Sequence, residues 1–176
     1  MENTNNSTID YEITDNFLNS IDFAQVQSVF VNNLNLPWYY NDAIAELEET
    51  PNIYKFQFTH TLFRENQGIL SDSFKHIKPL IDKINPKVLI RVKANLGTVT
   101  PSHQEGGLHT DFDFPCRTAI FYLNDNNGYT LFEDKTQVES KANRFVSFSS
   151  QHNHTGVSQT DSKIRCLINI NYIPSN

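Results

Sequence analysis

The period of the hydrophobic pattern changes along the chain. Phe23, Val26 and Phe30 recur at three- and four-residue spacing behind Ser20, which predicts an amphipathic helix capped by Ser20 and ending near Asn32 and Asn33. Phe74, Ile77, Ile81 and Ile84 behind Ser71 predict a second helix, closed by the Asn85-Pro86 pair. Pro79 falls inside it and removes a backbone donor, which predicts a kink or a break. Between these helices Tyr54, Phe56, Phe58, His60 and Leu62 alternate with Lys55, Gln57, Thr59 and Thr61. That period of two predicts a strand over Ile53–Phe63 with the first set buried. Ala43–Leu47 reads as a short helix after an irregular Pro37-Trp38 segment.

Beyond Pro86 the pattern is strand-like throughout. Val88–Leu96, Arg117–Leu123, Tyr129–Phe132, Arg144–Phe148 and Ile164–Ile173 are short and rich in β-branched or aromatic residues. Asn124-Asp125-Asn126-Asn127-Gly128 supplies a turn between two of them. Closely spaced strands with polar turns predict a sandwich or barrel. Residues 1–176 therefore read as a single domain of α+β, mainly β, class. In it 1–86 form a helical and strand support for a β core over 87–176, since neither half has many residues for a core of its own.

Composition narrows the function classes. The net charge is −6 with Lys and Arg scattered, and no basic stripe marks a surface for a long nucleic acid. Met1 to Asp10 is polar and lacks an apolar signal region, and no apolar run approaches the ~20 residues of a membrane span. The two cysteines, Cys116 and Cys166, sit in strand-like segments and read as core thiols of a reducing compartment. The expectation is a soluble cytoplasmic protein. Six histidines then pose the question of a metal site.

The segment Gly106-Gly107-Leu108-His109-Thr110-Asp111 contains a His-x-Asp. On a strand, residues two apart share a face, so His109 and Asp111 can hold one ion from adjacent corners. A third ligand is available downstream from His152 or His154, which share parity. Two imidazoles and a carboxylate make a facial triad with three open positions, a set that suits Fe(II). Arg165 follows His154 by eleven residues, in the middle of the apolar strand Ile164–Ile173. An arginine there is costly unless it meets an anion, and its planar fork fits a carboxylate. Lys93 and Asn95 share parity with Arg91, and Asn169 lies four residues beyond Arg165; all are candidates for a pocket wall, with Arg117 and Asp113 at its entrance. His60, on an apolar strand face, reads as a satisfied core histidine, and His103 as solvated.

The order His-x-Asp, His, Arg on a β-rich C-terminal half resembles the 2-oxoglutarate- and Fe(II)-dependent oxygenases. The resemblance covers roughly Lys87 to Ile173. Arg117-Thr118-Ala119-Ile120-Phe121-Tyr122-Leu123-Asn124 is similar to the prolyl-hydroxylase-like branch, and Gly128-Tyr129-Thr130-Leu131-Phe132 to that branch's Gly-Gly-x-Thr-x-Phe strand with one Gly replaced. The whole chain also resembles small oxygenases common in phage genomes, which would place it in a host cytoplasm. The resemblance implies a double-stranded β-helix (jelly roll). It implies Fe(II) on His109, Asp111 and His154, since His154-Thr155-Gly156 matches the family's His-x-Gly. It further implies 2-oxoglutarate with its far carboxylate on Arg165 and Tyr122, and with Asn95 and Asn169 in reach. O₂ is the oxidant and ascorbate a candidate reductant. The implied reaction hydroxylates a small-molecule or peptidyl substrate, with peptidyl proline or another amino-acid side chain favoured, and releases succinate and CO₂. Three alternatives compete. A cupin-like metal-binding jelly roll without catalysis leaves Arg165 unexplained. A zinc hydrolase would need a base such as Glu105 or Asp113 near the metal. A structural or protein-binding module makes the whole set a coincidence.

Overall fold

In the computed structural model, which describes residues 10–44 and 52–175, the strands build two packed antiparallel sheets. The elements in chain order are β1 (Tyr11–Thr14), α1 (Ser20–Phe30), β2 (Tyr39–Asn41), β3 (Gln57–Arg64), β4 (Gly68–Ile69), a 3-10 helix (Asp72–Ile77) and α2 (Lys78–Ile84). There follow β5 (Pro86–Thr98), β6 (Arg117–Tyr122), β7 (Tyr129–Phe132), β8 (Gln137–Glu139), β9 (Phe145–Ser149), β10 (His154–Val157) and β11 (Ile164–Pro174). The large sheet runs β1-β9-β6-β11-β5-β3-β2 with β4 on β3, and the small sheet runs β10-β7-β8. This is the mainly β jelly roll with N-terminal helical support that the alternation and the resemblance imply.

The strands of the large sheet carry two unlike faces, and this places the site. On β5 and β11, Val92, Ala94, Cys166, Ile168 and Ile170 pack with Val26 and Phe30 of α1, Ile77 of the 3-10 helix and Leu80 of α2. Phe30 is 2% exposed, and Phe30→Ala would leave a cavity costing roughly 3–5 kcal/mol. The alternate positions Arg91, Lys93, Asn95 and Arg165, Asn169, Asn171 therefore face the small sheet. The register pairs Arg91 with Asn171, Lys93 with Asn169, Asn95 with Leu167 and Gly97 with Arg165. At one end of this inner face a second apolar cluster joins Ile120, Tyr122, Val146, Phe148 and Leu167 to Phe132 and Val138 of the small sheet. The inner face thus closes on side chains at one end and stays polar at the other.

Several local expectations are corrected. Asn19, not Ser20, caps α1: its Oδ1 accepts from the Ile21 and Asp22 amides, each at 3.0 Å, and Asn is as good a cap as Ser. Pro79 does not kink a helix. It stands in the first turn of α2, where helix amides have no partner to lose, and the break falls at Ile77, where the 3-10 helix ends. The first strand starts at Gln57 rather than Ile53, and a register shift between Thr61 and Phe63 interrupts its alternation. Gln57, expected outward, is buried and donates to the Ala43 and Ile44 carbonyls. The helix expected over Ala43–Leu47 falls largely outside the described residues. Strands β1, β2, β4, β8 and β10 were not expected; each spans two to four residues, too few for alternation to register.

Candidate metal and anion site

His109 and Asp111 are not on a named strand, as their spacing suggested. They lie in an extended segment clipped to the start of β10. The His109 amide donates to the His154 carbonyl at 3.1 Å, the His154 amide returns the bond at 3.0 Å, and the Asp111 amide donates to the Ser150 carbonyl at 3.0 Å. This clip brings His109, Asp111 and His154 together, with one potential ligand atom from each within 4.8 Å of the others. The rings are oriented by backbone acceptors. His109 Nδ1 lies 2.9 Å from the Gly107 carbonyl and His154 Nδ1 lies 3.1 Å from the His152 carbonyl. A carbonyl only accepts, so each Nδ1 carries the proton and each Nε2 keeps a lone pair for a cation. His152 contributes its carbonyl to the cluster, not its ring.

Asp111 is the most heavily supported member. Its side chain is 7% exposed and pairs with Arg91 Nη2 at 3.0 Å. Thr118 Oγ1 and Asn171 Nδ2 donate to its other oxygen at 2.7 and 2.9 Å, and Asn169 Nδ2 approaches at 3.4 Å. Burial alone would raise its pKa, but Arg91, His154 and the Asn171 and Thr118 hydrogen bonds outweigh it and hold the carboxyl well below the usual range. Burial pushes the His154 imidazole down, against the pull of Asp111, which favours the neutral ligand form. The cluster therefore offers two imidazole nitrogens and one anionic oxygen, a donor set that fits a divalent first-row metal with positions to spare.

A cavity of about 110 Å³ opens beside the cluster, with His109, His154, Arg165, Lys93, Asn95 and Asn169 on its wall. Among the described residues Arg165 meets no carboxylate. Its Nε donates to Ser140 Oγ at 2.7 Å, its Nη2 lies 3.4 Å from Thr130 Oγ1, and its guanidinium carbon stands 5.6 Å from the Tyr122 ring centre. Gly128 makes room for it, since a Cβ there would lie 2.8 Å from Arg165 Cδ. Tyr122 is fully buried and does not line the cavity. Its hydroxyl is 2.7 Å from Thr130 Oγ1, and Thr130 is the residue on the wall.

The remaining expected residues divide. Asn95 Oδ1 and Asn169 Oδ1 are buried without a hydrogen-bond donor among the described residues, as is Gln159 Oε1 on the same wall. Lys93 lines the cavity, and burial with Arg91 nearby lowers its pKa to about 8. Arg117 lies elsewhere, donating to Ser147 and Asp10. Asp113 and Glu105 are exposed and off the cavity wall. His60 is a satisfied core histidine, with its nitrogens 2.7 Å from the Pro37 carbonyl and from Ser71 Oγ. His103 is exposed, with Nδ1 2.6 Å from the Ser158 carbonyl. Sequence reasoning missed Gln159 and Thr130 on the wall and the Arg91–Asp111 pair. For Arg91 a signal existed, its parity with Lys93 and Asn95; Gln159 sits in a connection that carries no periodicity.

No family model matches the chain, and no curated protein matches it in sequence. Solved structures do match in fold. One is a prolyl hydroxylase from Trichoplax adhaerens in complex with a hypoxia inducible factor peptide fragment, at 15% identity and TM-score 0.65, covering 95% of this chain and 84% of that one. Another is a Pseudomonas putida prolyl-4-hydroxylase, at 12% identity and TM-score 0.63, covering 96% and 94%. A third is the epimerase SnoN in complex with Fe3+, alpha ketoglutarate and nogalamycin RO, at 12% identity and TM-score 0.68, covering 94% and 79%. The chain thus has the fold of the 2-oxoglutarate/Fe(II) oxygenases, prolyl hydroxylases among them. No helix among the described residues is long and apolar enough to cross a membrane.

Proposed function

We propose that the chain is a non-haem Fe(II)- and 2-oxoglutarate-dependent dioxygenase, an oxidoreductase that hydroxylates an amino-acid side chain, peptidyl proline included, as a single domain over 1–176. One observation carries this reading above the others. A half-buried guanidinium with no carboxylate partner among the described residues lies on the same cavity wall as two histidines of a His-Asp-His cluster. A non-catalytic metal site has no use for such a group. A hydrolytic site would want a base beside the cluster, and Glu105 and Asp113 both stand off the wall.

In this reading His109 Nε2, His154 Nε2 and an Asp111 oxygen hold Fe(II), and the Gly107 and His152 carbonyls keep both rings in the binding tautomer. Bound there with 2-oxoglutarate, Fe(II) supplies the activation of O₂, so that a substrate C–H becomes C–OH while 2-oxoglutarate loses CO₂ to become succinate. Arg165 pairs with the far carboxylate of 2-oxoglutarate. Ser140, Thr130 and the Tyr122 ring fix the guanidinium, so it is oriented before the anion arrives. Tyr122 acts on the co-substrate through Thr130 and Arg165. Asn95 and Asn169 stand on the wall between Arg165 and the cluster.

The test is anaerobic addition of Fe(II) and 2-oxoglutarate. The expected result is a weak visible charge-transfer band, and a protein that binds the metal without giving this band would sink the proposal. Arg165→Met should weaken 2-oxoglutarate binding roughly tenfold to a hundredfold, the worth of one or two charged hydrogen bonds, and leave metal affinity unchanged.

A further inference from the structure

The cavity wall holds a second cation that the proposed reaction does not use. Lys93 projects from β5 into the cavity, and no hydrogen bond or ion pair engages its ammonium among the described residues. Arg91, two positions away on the same face, is already committed to Asp111, and Arg64 stands opposite Arg91 across the β3–β5 pair. Among the described residues, Asp111 is the carboxylate paired within this group of three cations. Fe(II), the Asp111 carboxylate and the chelating carboxylate of 2-oxoglutarate would balance one another, and Arg165 would balance the far carboxylate. Lys93 then remains on the cavity wall as positive charge without a counter-ion, which its partial burial makes costly.

Beside Lys93 lie two acceptors. Asn169 is its direct cross-strand partner, and Asn95 is the next inward residue on β5. The Oδ1 atoms of both are buried and lack donors among the described residues. The Asn169 amide is oriented by the approach of its Nδ2 to Asp111, which leaves Oδ1 as the free end. Among the described residues, an unengaged ammonium beside two unengaged carbonyl oxygens complements a ligand that carries an anion and a hydrogen-bond donor on one carbon. A phosphodiester or a fully ionised phosphate ester offers no such donor, and the two oxygens would repel it.

Resting on the dioxygenase reading, we infer that the oxidised substrate is a free α-amino acid, with its carboxylate on Lys93 and its ammonium on the Asn95 and Asn169 oxygens. The ammonium form of Lys93 persists at neutral pH, because its lowered pKa is still about 8. The same contacts disfavour an internal peptide residue, which has neither charge to offer.

The experiment uses the full chain loaded with Mn(II) and 2-oxoglutarate, titrated calorimetrically with each free proteinogenic L-amino acid and with its N-acetyl amide. At least one free amino acid should bind, with its N-acetyl amide weaker by roughly tenfold or more. Lys93→Met should abolish that binding yet hold 2-oxoglutarate within about threefold of wild type, and Lys93→Arg should retain part of it. Wild-type protein that binds 2-oxoglutarate but no free amino acid overturns the inference. So does equal binding of acid and amide, or a Lys93→Met variant that loses 2-oxoglutarate as Arg165→Met does. Failure of wild type to bind 2-oxoglutarate at all is a different result, and it removes the dioxygenase reading itself.

Discussion

The main chains of His109 and His154 exchange hydrogen bonds in both directions, at 3.1 and 3.0 Å, and their rings lie 4.7 Å apart between centres. The two histidines are therefore held together by backbone, independently of any ion between them. Replacing either ring leaves that clip intact. His109→Ala and His154→Ala should fold and lose most of their Mn(II) or Co(II) affinity, whereas His152→Ala should keep it, because His152 serves through its carbonyl. Metal titration by calorimetry reads the difference, and loss confined to the His152 variant would reassign the ligand.

Arg91 supports the cluster twice, through its ion pair with Asp111 and through Nε, which donates to Asn171 Oδ1 at 2.9 Å. Arg91→Met removes the 3.0 Å ion pair and leaves Thr118 and Asn171 to orient the carboxylate. Metal affinity should fall about 10- to 100-fold, the usual effect of losing a group that holds a ligand. Unchanged affinity would show that Thr118 and Asn171 suffice.

Gly128 is the retained glycine of the Gly-Gly-x-Thr-like segment, and the structure gives it a physical reason. A Cβ would lie 2.8 Å from Arg165 Cδ and 2.9 Å from both Asn126 Oδ1 and the Val157 carbonyl. Gly128→Ala should cost about 1–3 kcal/mol in urea unfolding and weaken 2-oxoglutarate binding by displacing Arg165. A variant with wild-type affinity for 2-oxoglutarate would separate the glycine from the anion site.

Lys93 makes stability depend on pH. Its pKa falls from 10.5 in the open chain to about 8 in the fold, chiefly through burial and then through Arg91. The charged form is the disfavoured one, so the cost is fully present below about pH 8 and is relieved as pH rises to about 10.5. Lys93→Met should be more stable than wild type at pH 7, by up to a few kcal/mol, with the gap closing by pH 10.5. Paired urea titrations at the two pH values measure it. A gap independent of pH would mean that the ammonium is not buried in the apo protein.

The fold was legible where one face of an element is apolar over enough residues. α1, β5, β6, β7 and β11 follow from Phe23, Val26 and Phe30 and from the runs around Val92, Phe121, Leu131 and Ile168. β10 was not, because His154-Thr155-Gly156-Val157 has no alternation, and it acquires strand form only by pairing with Tyr129–Phe132. The cluster was legible because His-x-Asp and Arg165 break their surroundings: an arginine in an apolar strand demands an explanation wherever it points. What the chain did not reveal was how the polar groups combine. Tyr122 reads as a direct contact to the co-substrate, yet parity cannot show that its hydroxyl is bonded to Thr130, the residue on the cavity wall. Arg91 and Asp111 lie twenty residues apart, and only the closed structure makes them a pair.

The proposed ligand set is split between the two sheets of the fold. His154 belongs to the three-stranded sheet, while Arg165, Lys93 and the residues that hold Asp111 belong to the eight-stranded one. A chain with its sheets apart has no side chains to orient the Asp111 carboxylate and no anion clamp beside the two histidines. In the proposed reading, such a chain emerging from synthesis, or partly unfolded by heat, would not capture iron tightly or turn over oxygen without the co-substrate. The division between the sheets would then work as an interlock, with the oxygen chemistry available only to a molecule that has finished folding.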